Sequence, residues 1–135
     1  MIDDREHPEP HAYVGEFIWT PQSNRFGWAS LLGREPGGEG VSPYAAAARA
    51  DDLSGLPATF ISVGALDLFL EEDVEYARRL ARAGVPVELH VYPGAFHGYQ
   101  LVGETSLSRR ARHYELEALR AALAAPSHAA KAAAE

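Results

Sequence analysis

The spacing of apolar residues changes along the chain, and each change marks an element. Ala58 to Gly64 (ATFISVG) is a short, mostly apolar, β-favouring run bounded by Pro57 and Gly64, the pattern of a strand buried on both faces. From about Glu71 to Ala83 the apolar residues Val74, Ala77, Leu80 and Ala81 recur at helical spacing. Glu71, Glu72 and Asp73 crowd the first turn, where the helix macrodipole favours anions and accounts for them. Arg78, Arg79 and Arg82 lie toward the other end, and Gly84 followed by Pro86 stops the helix. Val85, Val87, Leu89 and Val91 then alternate with Pro86, Glu88, His90 and Tyr92, the period of a second strand. Pro93 to Gly98 (PGAFHG) reads as a loop. A last helix is predicted from about Ser106 to Ala124, with Leu107, Ala111, Tyr114, Ala118 and Ala122 on one face.

The first part of the chain, residues 1–57, has no such regular pattern. It is rich in Pro, Gly, Asn, Ser and Asp and reads as connecting loops and short helices. Glu35 to Ser42 is a turn cluster, and Pro43 to Ala50 is predicted as a short helix with Ser42 as N-cap and Pro43 at its first position. Residues 126–135 (PSHAAKAAAE) are expected to form a frayed tail behind a single domain over 1–125.

Strand, helix and strand in that order make a βαβ unit, whose strands are parallel and whose crossover is right-handed. The loops after neighbouring parallel strands leave the sheet at one edge, where open α/β sheets hold their ligands. Asp67 just follows the first strand and His97 follows the second. A carboxylate beside an imidazole fixes the ring's tautomer and frees the second nitrogen to take a proton from a nucleophile. On spacing alone the plainer reading stands level with this one: an aspartate that starts a helix and a solvated loop histidine.

Composition narrows the field. With 47% hydrophobic and 23% charged residues the chain has the makeup of a globular protein of one domain. A formal net charge of −7 with scattered basic residues argues against a nucleic-acid partner. No apolar run reaches the roughly 18 residues of a membrane span. The acidic N-terminal segment is unlike a secretory signal, so the protein reads as cytoplasmic. Without cysteine there is neither a disulfide framework nor a thiolate nucleophile.

The run LPATFISVGALDLFLEEDVEYARRLARAGVPVELHVYPGAFHGYQ, Leu56 to Gln100, closely resembles the corresponding stretch of the hormone-sensitive-lipase-like esterases of the α/β-hydrolase superfamily. MIDDR (1–5), WTPQSNRFGW (19–28), VSPYAAAARA (41–50) and DLSGLP (52–57) are similar to that family too. The resemblance implies an α/β fold and the last βαβ unit and last helix of the hydrolase sheet, with Asp67 (of VGALD) as triad acid and His97 (of PGAFHG) as triad base. It also implies an acyl ester as substrate, with no metal or organic cofactor. Ala47 and Ala58 stand where relatives tend to have proline, and Tyr99 where phenylalanine is usual. The family's nucleophile lies in a G-x-S-x-G elbow after an HGGG-type loop. Neither motif occurs here, and no serine of the chain has glycine at both minus two and plus two. Family order then puts the serine before Met1, which makes this a C-terminal portion with an incomplete sheet, expected to self-associate or be completed by another chain.

Other candidates read as structural. His7 and His11 have metal-ligand spacing for a helix, but Pro8 and Pro10 argue against one. Gly33, Gly37, Gly38 and Gly40 lack the context of a phosphate cradle and read as a surface loop. Phe17, Trp19, Phe26 and Trp28 could line an acyl pocket, though core packing is the favoured reading. His90 is read as a surface or partly packed strand residue.

Overall fold

The computed structural model describes residues 1–5 and 11–124. Its elements are α1 (Pro21–Leu32), a 3₁₀ turn (Ala47–Arg49), β1 (Thr59–Gly64), α2 (Leu70–Arg82), β2 (Val87–Tyr92), a second 3₁₀ turn (Tyr99–Leu101) and α3 (Ser106–Ala124). β1 and β2 pair in parallel, in a register that sets Ile61 against Leu89 and Gly64 against Tyr92. The βαβ unit and last helix read from the sequence are therefore present. Residues 126–135, together with His7, Pro8 and Pro10, lie outside the described residues.

α2 ends as its glycine requires. Gly84 takes φ 79°, a left-handed conformation that costs glycine nothing. Its N–H donates to the Ala81 carbonyl (3.1 Å) and that of Val85 to the Leu80 carbonyl (3.1 Å), the paired bonds of a Schellman stop. Leu80 and Val85 then pack together with Leu53 against Ile61 and Val87, forming the core between α2 and the sheet. Burial of Leu80, only 1% exposed, contributes about 2 kcal/mol. The other face of the sheet meets α3 through Tyr92, Ala95, Tyr99, Ala111 and Leu107.

Burial on both faces holds for only part of β1. Val63 and Gly64 are buried, but Thr59 to Ser62 are half-exposed. α2 covers the Ile61 side, whereas on the other side Ser62 meets a polar partner, donating to Glu115 of α3 (3.0 Å). Among the described residues β1 has one strand neighbour, β2.

The N-terminal part holds more order than its composition suggests. α1 begins at Thr20, whose hydroxyl accepts from the Ser23 N–H (3.2 Å), has Pro21 in its first turn, and ends at Gly33 with φ 65°. The expected helix over 43–50 is shorter: turns precede a 3₁₀ segment at Ala47–Arg49. Ala46 is extended (φ −127°) and fully buried, in a cluster with Trp28 and Val41. The Ala48 N–H donates to the Ile2 carbonyl (2.9 Å) instead of continuing a helix.

Asp4 explains that diversion. Its side chain is fully buried and accepts from Arg49 at 2.7 and 2.9 Å and from the Gly37 N–H at 2.8 Å. Arg49 also donates to the Gly38 carbonyl (3.0 Å), so the glycine loop clasps the N-terminal segment. Burial alone would raise the Asp4 carboxyl, but the Arg49 hydrogen bonds, the Gly37 N–H and the Arg49 charge outweigh it and hold the group below its ordinary value. A depressed carboxyl stabilises the fold above its unfolded pKa, and that contribution is lost as pH falls through the folded pKa. Asp4→Ala is expected to cost about 3 kcal/mol by stranding Arg49, and to remove part of the acid sensitivity of unfolding below about pH 4. Urea titrations at neutral and acid pH measure both.

Candidate active site

β1 delivers Asp67 and β2 delivers His97 to the same edge of the sheet, and the backbone locks their loops together. The Ala65 N–H donates to the Tyr92 carbonyl and the Leu66 N–H to the Ala95 carbonyl, each at 2.9 Å. Between these loops lies Gly64. A Cβ built there would stand 2.3 Å from the Ala95 carbonyl oxygen, so the approach admits glycine alone. Gly98, at φ 74°, turns the chain immediately after His97, and the Tyr99 N–H closes that turn on the Phe96 carbonyl (3.1 Å).

His97 Nδ1 lies 3.1 Å from Asp67 Oδ2 and 3.3 Å from Oδ1, across thirty positions of sequence. Asp67 is buried (6% exposed), while the side chain of His97 keeps 32% of its surface open. Asp67 Oδ1 also accepts from the Phe69 N–H (3.1 Å), and the Leu70 N–H donates to the Asp67 carbonyl (3.1 Å). Asp67 is not the N-cap of α2, a position held by Phe69 without a side-chain cap; its carboxylate lies instead between the Phe69 N–H and the His97 ring. Two aromatic rings hold the imidazole: Phe69 edge-on with centroids 5.3 Å apart, and Trp19 tilted at 5.6 Å. With Nδ1 on the carboxylate and the ring gripped on its sides, the edge bearing Nε2 is the part left to a reactant.

The aromatics divide in a way their spacing did not show. Trp28 is core, 1% exposed, as the favoured reading has it. Phe26 is 75% exposed and packs no core. Trp19 lies against His97, and Phe17 against Phe96, the residue before the base (5.8 Å). Sequence reasoning missed Phe69 and Gly64 as parts of the site. The signal for Gly64 was present: a glycine closes an apolar strand just ahead of the acid. His90 is half-buried between Phe60 (5.2 Å) and Tyr114 (4.8 Å), with Nε2 2.7 Å from Glu88. Among the described residues no three His, Asp or Glu side chains converge as metal ligands would.

The first turn of α2 does more than answer the macrodipole. Glu72 accepts from the Ile2 N–H (2.8 Å), tying the N-terminal segment to the helix. Burial pushes its carboxyl up to about 7, against the opposing pull of that N–H. Burial likewise raises Asp73 to about 6, and the Asp67 charge adds to the rise. A carboxyl raised in the folded state stabilises it fully below the unfolded value, and the contribution fades as pH climbs through the folded pKa. Urea resistance is therefore expected to increase from about pH 8 down to about pH 5, and Glu72→Gln with Asp73→Asn should flatten that slope. Near these residues a cleft of about 430 Å³ opens between the N-terminal segment and α2, lined by Asp3, Arg5, Arg49, Glu72 and Arg79 among others. It lacks the paired acid and base.

Parallel strands carrying an acid and a base at their C-terminal ends, a helix between them and a helix behind are parts of an α/β-hydrolase sheet. A model of the alpha/beta hydrolase fold family matches residues 2–101, and the chain belongs to that family, in its hormone-sensitive-lipase-like esterase branch. Among solved structures it is similar to a bacterial heroin esterase (39% identity, TM-score 0.83, covering 93% of this chain and 41% of that one). It is also similar to the esterase LipW of Mycobacterium marinum (36% identity, TM-score 0.76, covering 93% and 39%). Among curated proteins it matches esterase LipI of Mycobacterium tuberculosis, 37% identical over 76 residues, 56% of this chain and 24% of the relative. The chain thus spans about a quarter of that relative and about two fifths of the two structures. No helix among the described residues is long and apolar enough to cross a membrane.

Proposed function

We propose that this chain is the C-terminal portion of a serine carboxylesterase and supplies the acid and base of its triad. The observation that carries the reading is the buried Asp67 carboxylate on Nδ1 of a His97 that keeps 32% of its side-chain surface open. His97 Nε2 takes the proton of a serine hydroxyl as that oxygen attacks the ester carbonyl, then gives it to the departing alkoxide. A water deprotonated by the same nitrogen cleaves the acyl-enzyme. Asp67 holds the tautomer and stabilises the imidazolium formed in each step. N–H groups of an oxyanion loop lying, like the serine, ahead of residue 1 stabilise the tetrahedral intermediates. The esterase names of the relatives and the order serine, acid, base in this family support it.

The test is expression of the complete coding frame. A G-x-S-x-G motif upstream, labelling of its serine by a fluorophosphonate and hydrolysis of 4-nitrophenyl acetate are expected. The isolated chain of 135 residues should show no turnover that depends on His97. A frame without such a serine, or hydrolysis indifferent to His97, would overturn the reading. That β1 has one strand neighbour among the described residues favours a second reading, a non-catalytic module whose sheet is completed by a partner chain. A monomer on size exclusion that binds no hydrophobic dye would count against it.

A further inference from the structure

The residue preceding Trp19, whose ring packs on His97, is held in a conformation its side chain resists. Ile18 has φ 65° and is the only non-glycine residue with positive φ among those described. A β-branched side chain at positive φ is a steric outlier. It sits at the centre of a three-residue γ-turn closed by the Trp19 N–H on the Phe17 carbonyl (2.7 Å), a strained arrangement for an L-residue.

The surroundings impose this turn from both sides. Upstream, the Gly15 N–H donates to the Leu66 carbonyl in the loop that carries Asp67 (3.2 Å). Downstream, Thr20 caps α1 and Trp19 Nε1 donates to Asn24 (3.3 Å). Between them, Trp19 packs on His97 and Phe69, and Phe17 packs on Phe96. The two flanking rings are thus clamped to the loops of the acid and the base, while Ile18 itself is 66% exposed. At that exposure it buries little surface to offset its strain, and strain of this kind concentrates where a ligand is handled.

The chemistry says which part of a ligand. The base delivers its proton to the leaving oxygen, so the atoms beside His97 Nε2 are those of the alcohol, while the carbonyl oxygen turns to the oxyanion donors and the acyl chain takes the remaining position on the tetrahedral carbon. From this, and resting on the esterase reading above, we infer that the Phe17–Ile18–Trp19 turn is the wall of the alcohol subsite, with Ile18 the residue that restricts branching next to the ester oxygen. The favoured substrates are esters of unbranched or flat alcohols, and branching at the carbon attached to oxygen is what Ile18 rejects.

Ile18→Gly tests this because glycine keeps φ 65° without strain while deleting the wall. In the complete enzyme the ratio of kcat/KM for n-butyl acetate over sec-butyl acetate is expected to fall about tenfold, the scale of a small apolar pocket contact. Ile18→Val should keep most of the ratio. Across 4-nitrophenyl acetate, butyrate and octanoate, where only the acyl part varies, the profile should keep its shape. In the complete enzyme Ile18→Gly should also leave Tm unchanged or raise it. A shift in the acyl profile with no change in the alcohol ratio overturns the assignment, as does a Tm lowered by several degrees, which would make Ile18 a packing residue. A parent enzyme with no His97-dependent hydrolysis defeats the esterase reading itself, and this is seen before any Ile18 variant is compared.

Discussion

His97→Ala in the complete enzyme is expected to lower kcat by about 10⁴- to 10⁶-fold with the fold intact, since a triad acts as a unit and binding alone supplies the remainder. Asp67→Asn should fall within the lower part of that range, about 10⁴-fold, by a different route. The Asp67 oxygens at 3.1 and 3.3 Å from Nδ1 keep a proton there and leave Nε2 as acceptor. An amide can turn its NH₂ toward Nδ1 and hold the ring in the other tautomer, unable to accept from serine. Nitrogen-15 spectra of the imidazole separate the two cases: the aspartate form carries its neutral-state proton on Nδ1, and the asparagine form on Nε2. Equal rates for wild type and Asp67→Asn would remove Asp67 from the mechanism.

Gly64→Ala should injure stability and chemistry together, although it touches neither reacting group. The new methyl would meet the Ala95 carbonyl oxygen at 2.3 Å and its carbon at 2.7 Å, backbone atoms that cannot rotate away. Relief requires the loop of His97 to move off the loop of Asp67, breaking the Leu66 to Ala95 hydrogen bond. The loss is expected to be about 3 kcal/mol, from overpacking and the broken bond, read as a fall in urea midpoint. A shift of about 1 Å between acid and base is worth about 100-fold in kcat. Gly33→Ala makes the comparison: its added methyl meets nothing within 4 Å, though φ 65° there carries ordinary left-handed strain. If Gly64→Ala proves no worse than Gly33→Ala, the close approach of the two loops is not what positions the pair.

Local periodicity made the second half of the fold legible. α2 and β2 each repeat a pattern for several residues, and the glycine and proline that bound them act through the backbone alone. The pairing of Asp67 with His97 followed because parallel strands must emit their loops at one edge. α1 was harder to see. Asn24 and Gly27 are poor helix formers, and its apolar residues mark no clear face; the cap Thr20, Pro21 and the terminal Gly33 were its readable signs. The latch of Asp4 on Arg49 joins positions 45 residues apart, and Ile2 to Glu72 joins positions 70 apart. No spacing rule reaches such distances. For the same reason Trp19 could not be assigned to His97 from its own neighbours, and Phe26, alike in composition, could not be told from a core residue. Ile18 gives no sign of its backbone angle in sequence, because isoleucine is the residue least expected there.

The backbone bonds that register the loops of Asp67 and His97 all lie within residues 59–98, the Ala65 to Tyr92 and Leu66 to Ala95 pairs included. Asp67 and His97 are thereby tied into one cassette, held together by backbone bonds that lie within it. Exchange of this segment between related enzymes, by recombination or by design, would carry the proton-handling pair across already assembled. What such a graft must still match is a single distance, from the imidazole edge to the host's serine, together with the Trp19 ring that steadies it from outside the cassette.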